Sequence, residues 1–101
     1  MTITRINEFQ ARADMINELQ AFLLSIVPSI SSSDGCLSCQ VLQSHADPTQ
    51  YVVLEAWDSI EAHQASAKAI PPEMFANVMQ LLAGPPRGEY FSICERAAPG
   101  G

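Results

Sequence analysis

The side chains best suited to chemistry are few and partly clustered. The chain holds two histidines, His45 and His63, and a single tryptophan, Trp57. Trp57 and His63 fall together in VLEAWDSIEAH, residues 53–63, with Glu55 just ahead of them. A histidine is the side chain best fitted to act as a base near neutral pH. An indole can stack on a flat aromatic ligand, and Asn7 or Arg5 could hydrogen-bond that ligand's oxygens. Glu55, set in an apolar strand, reads either as a base of raised pKa or as an ion-pair partner of Arg5 or Arg96 across a dimer. The second role is the one expected of it.

Cys36 and Cys39 form a C-x-x-C. A redox pair of this kind sits at a helix N-terminus, where the dipole lowers a thiol pKa. Here the pair lies in GCLSCQVLQS, which reads as a strand. Residues three apart on a regular strand point to opposite faces, which keeps the sulfurs apart. No second C-x-x-C or histidine pair completes a zinc site, so no metal is expected. Three cysteines, an odd number, fit a reducing compartment better than a disulfide framework.

Elements that position these residues follow from periodicity. TITRINEF, residues 2–9, alternates as a strand with Ile3, Arg5, Asn7 and Phe9 on one face. From about Ala11, Met15, Ile16, Leu19, Phe22, Leu23, Ile26 and Val27 recur at helical spacing, and Pro28 stops the helix. A strand over 36–43, a turn at Asp47-Pro48 and a strand over 51–57 make a hairpin. Asp58 and Glu61 are spaced as a capping box, with Ser59 an alternative cap, for a helix ending near Ala69. Its stripe of Ile60, His63, Ala67 and Ile70 turns His63 towards the sheet. After Pro71-Pro72 a helix spans 73–82, and a last strand spans 89–96. The order is β-α-β-β-α(α)-β, an α+β, ferredoxin-like split βαβ fold with one four-stranded antiparallel sheet. Residues 1–96 form a single domain, and 97–101 a loose tail.

Composition narrows the function. Hydrophobic residues make up 48% and charged residues 16%, a compact globular balance. The formal net charge of −6 argues against nucleic acid or an anionic membrane as partner. No apolar run approaches membrane-spanning length, and MTITRINEFQ lacks a signal-peptide layout, so a cytoplasmic location is expected. With helices on one sheet face only, the other should be polar in a monomer. The strand over 51–57 is apolar on both sides apart from Glu55, and the last strand sets Phe91 and Ile93 opposite Tyr90 and Cys94, which predicts a homodimer packed sheet to sheet.

The chain also resembles the antibiotic biosynthesis monooxygenase family, and within it the small quinol monooxygenases. The resemblance lies in IVPSI with the DGC that follows, in VLEAWDSIEAH, and in the Pro-Pro before the later helix, over roughly residues 2–95. It implies a dimeric α/β barrel with a pocket between each sheet and its helices. It also implies oxygenation of a quinol, anthrone or polyketide-type aromatic with no cofactor, neither metal nor flavin. Such a reaction needs a base, neutral donors for the substrate anion and an apolar cavity. On that reading His63, Asn7 and Trp57 are the catalytic candidates, with Arg5, Ser66, Phe22, Phe75 and Met79 around the substrate. Family members often carry a histidine nine residues after the tryptophan, where this chain has Ser66.

Blander readings stand beside these. His63 also fits a core-edge histidine bonded to a backbone carbonyl or to Glu55, and His45 a solvated turn residue. Trp57, Phe22, Met74, Phe75 and Met79 fit plain core or pocket lining. The whole chain would then be a non-catalytic dimeric barrel binding a small ligand. Haem binding or degradation, known among relatives, would want an axial histidine that MFANVMQLL lacks.

Overall fold

A computed structural model describes residues 2–95. The elements run β1 (Ile3–Gln10), α1 (Ile16–Ser31), β2 (Cys36–Gln43), β3 (Gln50–Trp57), α2 (Ile60–Lys68), α3 (Pro72–Met79) and β4 (Arg87–Phe91). The strands form one antiparallel sheet in the order β2-β3-β1-β4, the ferredoxin-like α+β arrangement. Among the described residues no helix is long and apolar enough to cross a membrane.

β3 shows why the sheet has two distinct sides. Tyr51, Val53, Glu55 and Trp57 are buried, while Val52, Leu54 and Ala56 between them are only half-buried. The buried set faces the helices, where Leu19 and Leu23 of α1 are fully enclosed and Val78 and Leu82 close the core. Burying such side chains contributes about 1.5–3 kcal/mol each. The second side carries no helix, and on it Leu42 and Phe91 are 44% and 43% exposed.

Several expected boundaries shift. α1 starts at Ile16 rather than near Ala11, because Ala11 continues the β1 edge as a bridge to Leu82. The helix also runs past Pro28 to Ser31. Pro28 is exposed, and serine hydroxyls serve the last carbonyls: Ser31 Oγ donates to Pro28 O at 3.2 Å and Ser33 Oγ to Ser29 O at 3.0 Å. The cap of α2 is Ser59, whose Oγ accepts from the Ala62 N–H at 3.1 Å, not the Asp58–Glu61 box. α3 takes Pro72 at its first turn and ends at Met79. β4 lies earlier than expected and ends at Phe91. Arg96 and the expected tail, 97–101, lie outside the described residues.

The largest correction concerns the cysteines. A bulge between Cys36 and Ser38 adds one residue to β2. Cys36 then pairs with Trp57 and Cys39 with Glu55, so both sulfurs sit on the helix side of the sheet rather than on opposite faces. Both are free thiols. Burial, then the Glu55 carboxylate and Cys36, push the Cys39 pKa up to about 11, the opposite of a reactive thiol.

Candidate active site

A cavity of about 420 Å³ opens between the sheet and the helices. Its floor is polar because three neighbouring strands place polar residues side by side. In the antiparallel register Arg5 of β1 stands between Glu55 of β3 and Tyr90 of β4, and Asn7 between Val53 and Gly88. Its walls are apolar, with Phe22 and Ile26 from α1 and Phe75 and Met79 from α3. Phe75 and Met79 are 52% and 47% exposed, which puts them at the mouth.

The floor is one connected network. Trp57 Nε1–H donates to Glu55 Oε1 at 2.8 Å, and Asn7 Nδ2 donates to Glu55 Oε2 at 3.1 Å. Arg5 Nε donates to Asn7 Oδ1 at 3.0 Å, and the guanidinium lies over the Tyr90 ring, 4.6 Å from its centroid. Gly88 permits this packing, since a Cβ there would collide with Arg5 and would lie 2.6 Å from Asn7 Oδ1. Gly35, with φ of +85°, turns the chain into β2, and a Cβ there would sit 2.6 Å from Ala62 on α2.

His63 reaches this floor from α2. Its ring stands edge-on to both Trp57 and Tyr90, with centroids 5.4 and 5.3 Å away. Nδ1 lies 2.7 Å from Tyr90 Oη, and Nε2 lies 3.9 Å from Glu55 Oε1. Burial, with Arg5 adding to it, lowers the His63 pKa and favours the neutral ring. Burial raises the Glu55 pKa, against the pull of its Trp57, Arg5 and Asn7 neighbours. The two shifts bring an acid and a base towards each other, a pattern typical of functional sites.

The sequence candidates Arg5, Asn7, Phe22, Trp57, His63, Ser66, Phe75 and Met79 all line this one cavity. Ser66 Oγ lies 3.0 Å from Ser33 Oγ, joining α2 to the turn after α1. His45 is an exposed hairpin residue. Glu55 corrects the expected ion pair across a dimer: at 4% exposure it faces the cavity side and is held by Trp57 and Asn7 of its own chain. Tyr90 was missed, because its place beside Arg5 and His63 depends on strand pairing. Glu55 did leave a signal, as the one charged residue in an otherwise apolar inward alternation.

Solved structures share this architecture. Rv0793 from Mycobacterium tuberculosis is 23% identical, with a TM-score of 0.84 over 97% of this chain and 100% of that one. NE2512 from Nitrosomonas europaea is 22% identical, with a TM-score of 0.82 over 99% of this chain and 96% of its own. A Chloroflexus aurantiacus protein bearing the antibiotic biosynthesis monooxygenase name is 27% identical, with a TM-score of 0.75 over 99% of this chain and 100% of that one. No curated protein matches. The sequence profile of the family described as antibiotic biosynthesis monooxygenase matches residues 2–77, which span β1 to α3 and with them Arg5, Asn7, Glu55, Trp57 and His63. The chain therefore belongs to the antibiotic biosynthesis monooxygenase family.

Proposed function

We propose that the protein is a cofactor-independent monooxygenase of a small aromatic substrate of the quinol, anthrone or polyketide type. The observation that carries this reading is the polar floor of Arg5, Asn7, Glu55, Trp57 and His63 at the base of a mostly apolar cavity. An activated phenol or enol bound there would lose a proton to the Glu55–His63 pair. Its electron pair would stay on the substrate, stabilised by N–H donors in a site sheltered from water. The electron-rich anion would then reduce dioxygen, one oxygen atom entering the substrate and the other leaving as water. Phe22, Phe75, Met79 and Ser66 would shape the cavity around the ring system.

The working form would be a homodimer in a reducing, cytoplasmic setting. The uncovered sheet face supports the homodimer: Ile6, Val52, Leu54, Leu42 and Phe91 share it by register, with Glu8, Arg87 and Glu89 beside them. Covering such a face with a second copy removes apolar area from water.

A second reading is a dimeric barrel that binds its ligand without chemistry. Ser66 favours it, since the position carries a hydroxyl bonded to Ser33 where family members often have histidine. Oxygen uptake with a panel of quinols and anthrones, without added metal or flavin, separates the two. Uptake above the buffer rate supports the oxygenase, and rates equal to buffer across the panel would support the binding protein.

A further inference from the structure

His63 has a hydroxyl 2.7 Å from Nδ1 and a carboxylate 3.9 Å from Nε2, which limits what it can do. A neutral imidazole carries one N–H, and the partner of each nitrogen decides where it sits. Tyr90 Oη stands 2.7 Å from Nδ1, while Nε2 lies 3.9 Å from Glu55 Oε1, a gap too long for a direct hydrogen bond. With the proton on Nδ1, the Nε2 lone pair would face a carboxylate across a buried gap. With the Tyr90 hydroxyl donating to Nδ1, the proton sits on Nε2 and points at that carboxylate. Electrostatics in a low-dielectric site selects the second form. In it, neither histidine nitrogen has a lone pair for a substrate proton.

Glu55 does have that capacity. A carboxylate offers about four acceptor positions. Two are used, Oε1 by Trp57 Nε1–H and Oε2 by Asn7 Nδ2–H. A substrate oxygen about 2.8 Å from both His63 Nε2 and Glu55 Oε1 bridges their 3.9 Å separation without displacing either.

Resting on the oxygenase reading above, we propose that Glu55 takes the substrate's proton, while His63 stays neutral and donates Nε2–H to the oxyanion that forms. Tyr90 is the positioning residue that fixes this tautomer. The substrate O–H bond breaks, a Glu55 O–H bond forms, and the electron pair remains on the substrate oxygen. His63 gains and loses no proton in the step. The charged and titratable groups facing the pair are Arg5 on β1, Tyr90 on β4, and Cys36 and Cys39 on β2.

Two readouts test this. Nitrogen-15 correlation spectra of a His45→Gln protein, where His63 is the only histidine, should show the Nε2–H tautomer. Tyr90→Phe should introduce the Nδ1–H form. At a pH below its own pKa, where it is neutral in solution, a chromogenic nitrophenol should bind wild type as phenolate, seen in its absorbance, and Glu55→Gln as the neutral phenol. In turnover, Glu55→Gln should lose about 10²–10⁴-fold. A wild-type Nδ1–H tautomer, or a Glu55→Gln protein that still ionises the phenol, would overturn the proposal. An absence of oxygen uptake would remove the oxygenase reading alone, since the tautomer and the nitrophenol spectra do not depend on dioxygen.

Discussion

Asn7 and Glu55, 48 residues apart in sequence, are joined by a 3.1 Å hydrogen bond from Nδ2 to Oε2. The same amide accepts from Arg5 Nε at 3.0 Å through its Oδ1, so Asn7 links a cation to a buried carboxylate. Replacing it by alanine leaves Glu55 Oε2 and Arg5 Nε without these partners. An unpaired buried polar group costs about 1–3 kcal/mol, more for a charged one. Asn7→Ala should therefore lower unfolding free energy by up to about 3 kcal/mol in urea titrations, since both hydrogen bonds are part-buried, and oxygenation should fall with it. A loss under about 0.5 kcal/mol would mean that the amide is not holding the carboxylate.

Gly88→Ala should act on the same network from the opposite strand. The added Cβ meets the Arg5 guanidinium and Asn7 Oδ1. Both contacts are the ends of flexible side chains at an exposed position, so Arg5 should leave the Tyr90 face at a cost under about 1 kcal/mol. Denaturant melts give the cost, and loss of ring-current shifts at Tyr90 reports the displacement. Unchanged stability and shifts would contradict the close approach seen here.

The pH dependence of stability has a definite sign. Burial raises the Glu55 pKa above its ordinary 4.5, so the folded state holds that proton more tightly than the unfolded chain. Its contribution is full below the ordinary value and is lost as pH rises through the folded one. Thermal midpoints of wild type minus Glu55→Gln should fall as pH climbs from about 4.5 and level off above the folded value. His63 runs the other way, because its pKa is lowered from 6.5. Its contribution is present above 6.5 and is lost as pH falls through the folded value. A Glu55 difference that grows with pH would contradict its burial as the dominant cause.

The uncovered sheet face predicts an assembly. Sedimentation at micromolar concentration should give twice the 11.0 kDa chain mass. Leu42→Lys with Leu54→Lys, which places charges on that face, should return the 11.0 kDa species without unfolding it. A wild type sedimenting at 11.0 kDa would rule out the sheet-to-sheet dimer.

Much of this architecture is legible in the sequence, for physical reasons. Period-two alternation in β3 and the three-and-four spacing of Leu19, Phe22, Leu23 and Ile26 report which side is buried. Periods of the same kind put Arg5 and Asn7 on one strand face and turn His63 towards the sheet. Features that depend on pairing are not legible. The bulge that returns Cys39 to the face of Cys36 inserts one residue with no composition signal. Tyr90 meets Arg5 only because β4 pairs with β1, and the register is set by packing across the sheet. Pro28 misleads for a related reason: it is exposed, and nearby serine hydroxyls serve the final carbonyls. Glu55 sits on the inward alternation of β3, yet only the positions of Trp57 and Asn7 show that it is held within one chain.

The most direct measurement of the central claim is the fate of labelled dioxygen. The purified protein, stripped of metals by chelation and free of flavin, is incubated with the most responsive quinol or anthrone under heavy-isotope dioxygen. The account predicts product carrying one labelled oxygen atom, formed by wild type and reduced about 10²–10⁴-fold in Glu55→Gln. Product without label, or label entering equally fast in Glu55→Gln, would contradict it.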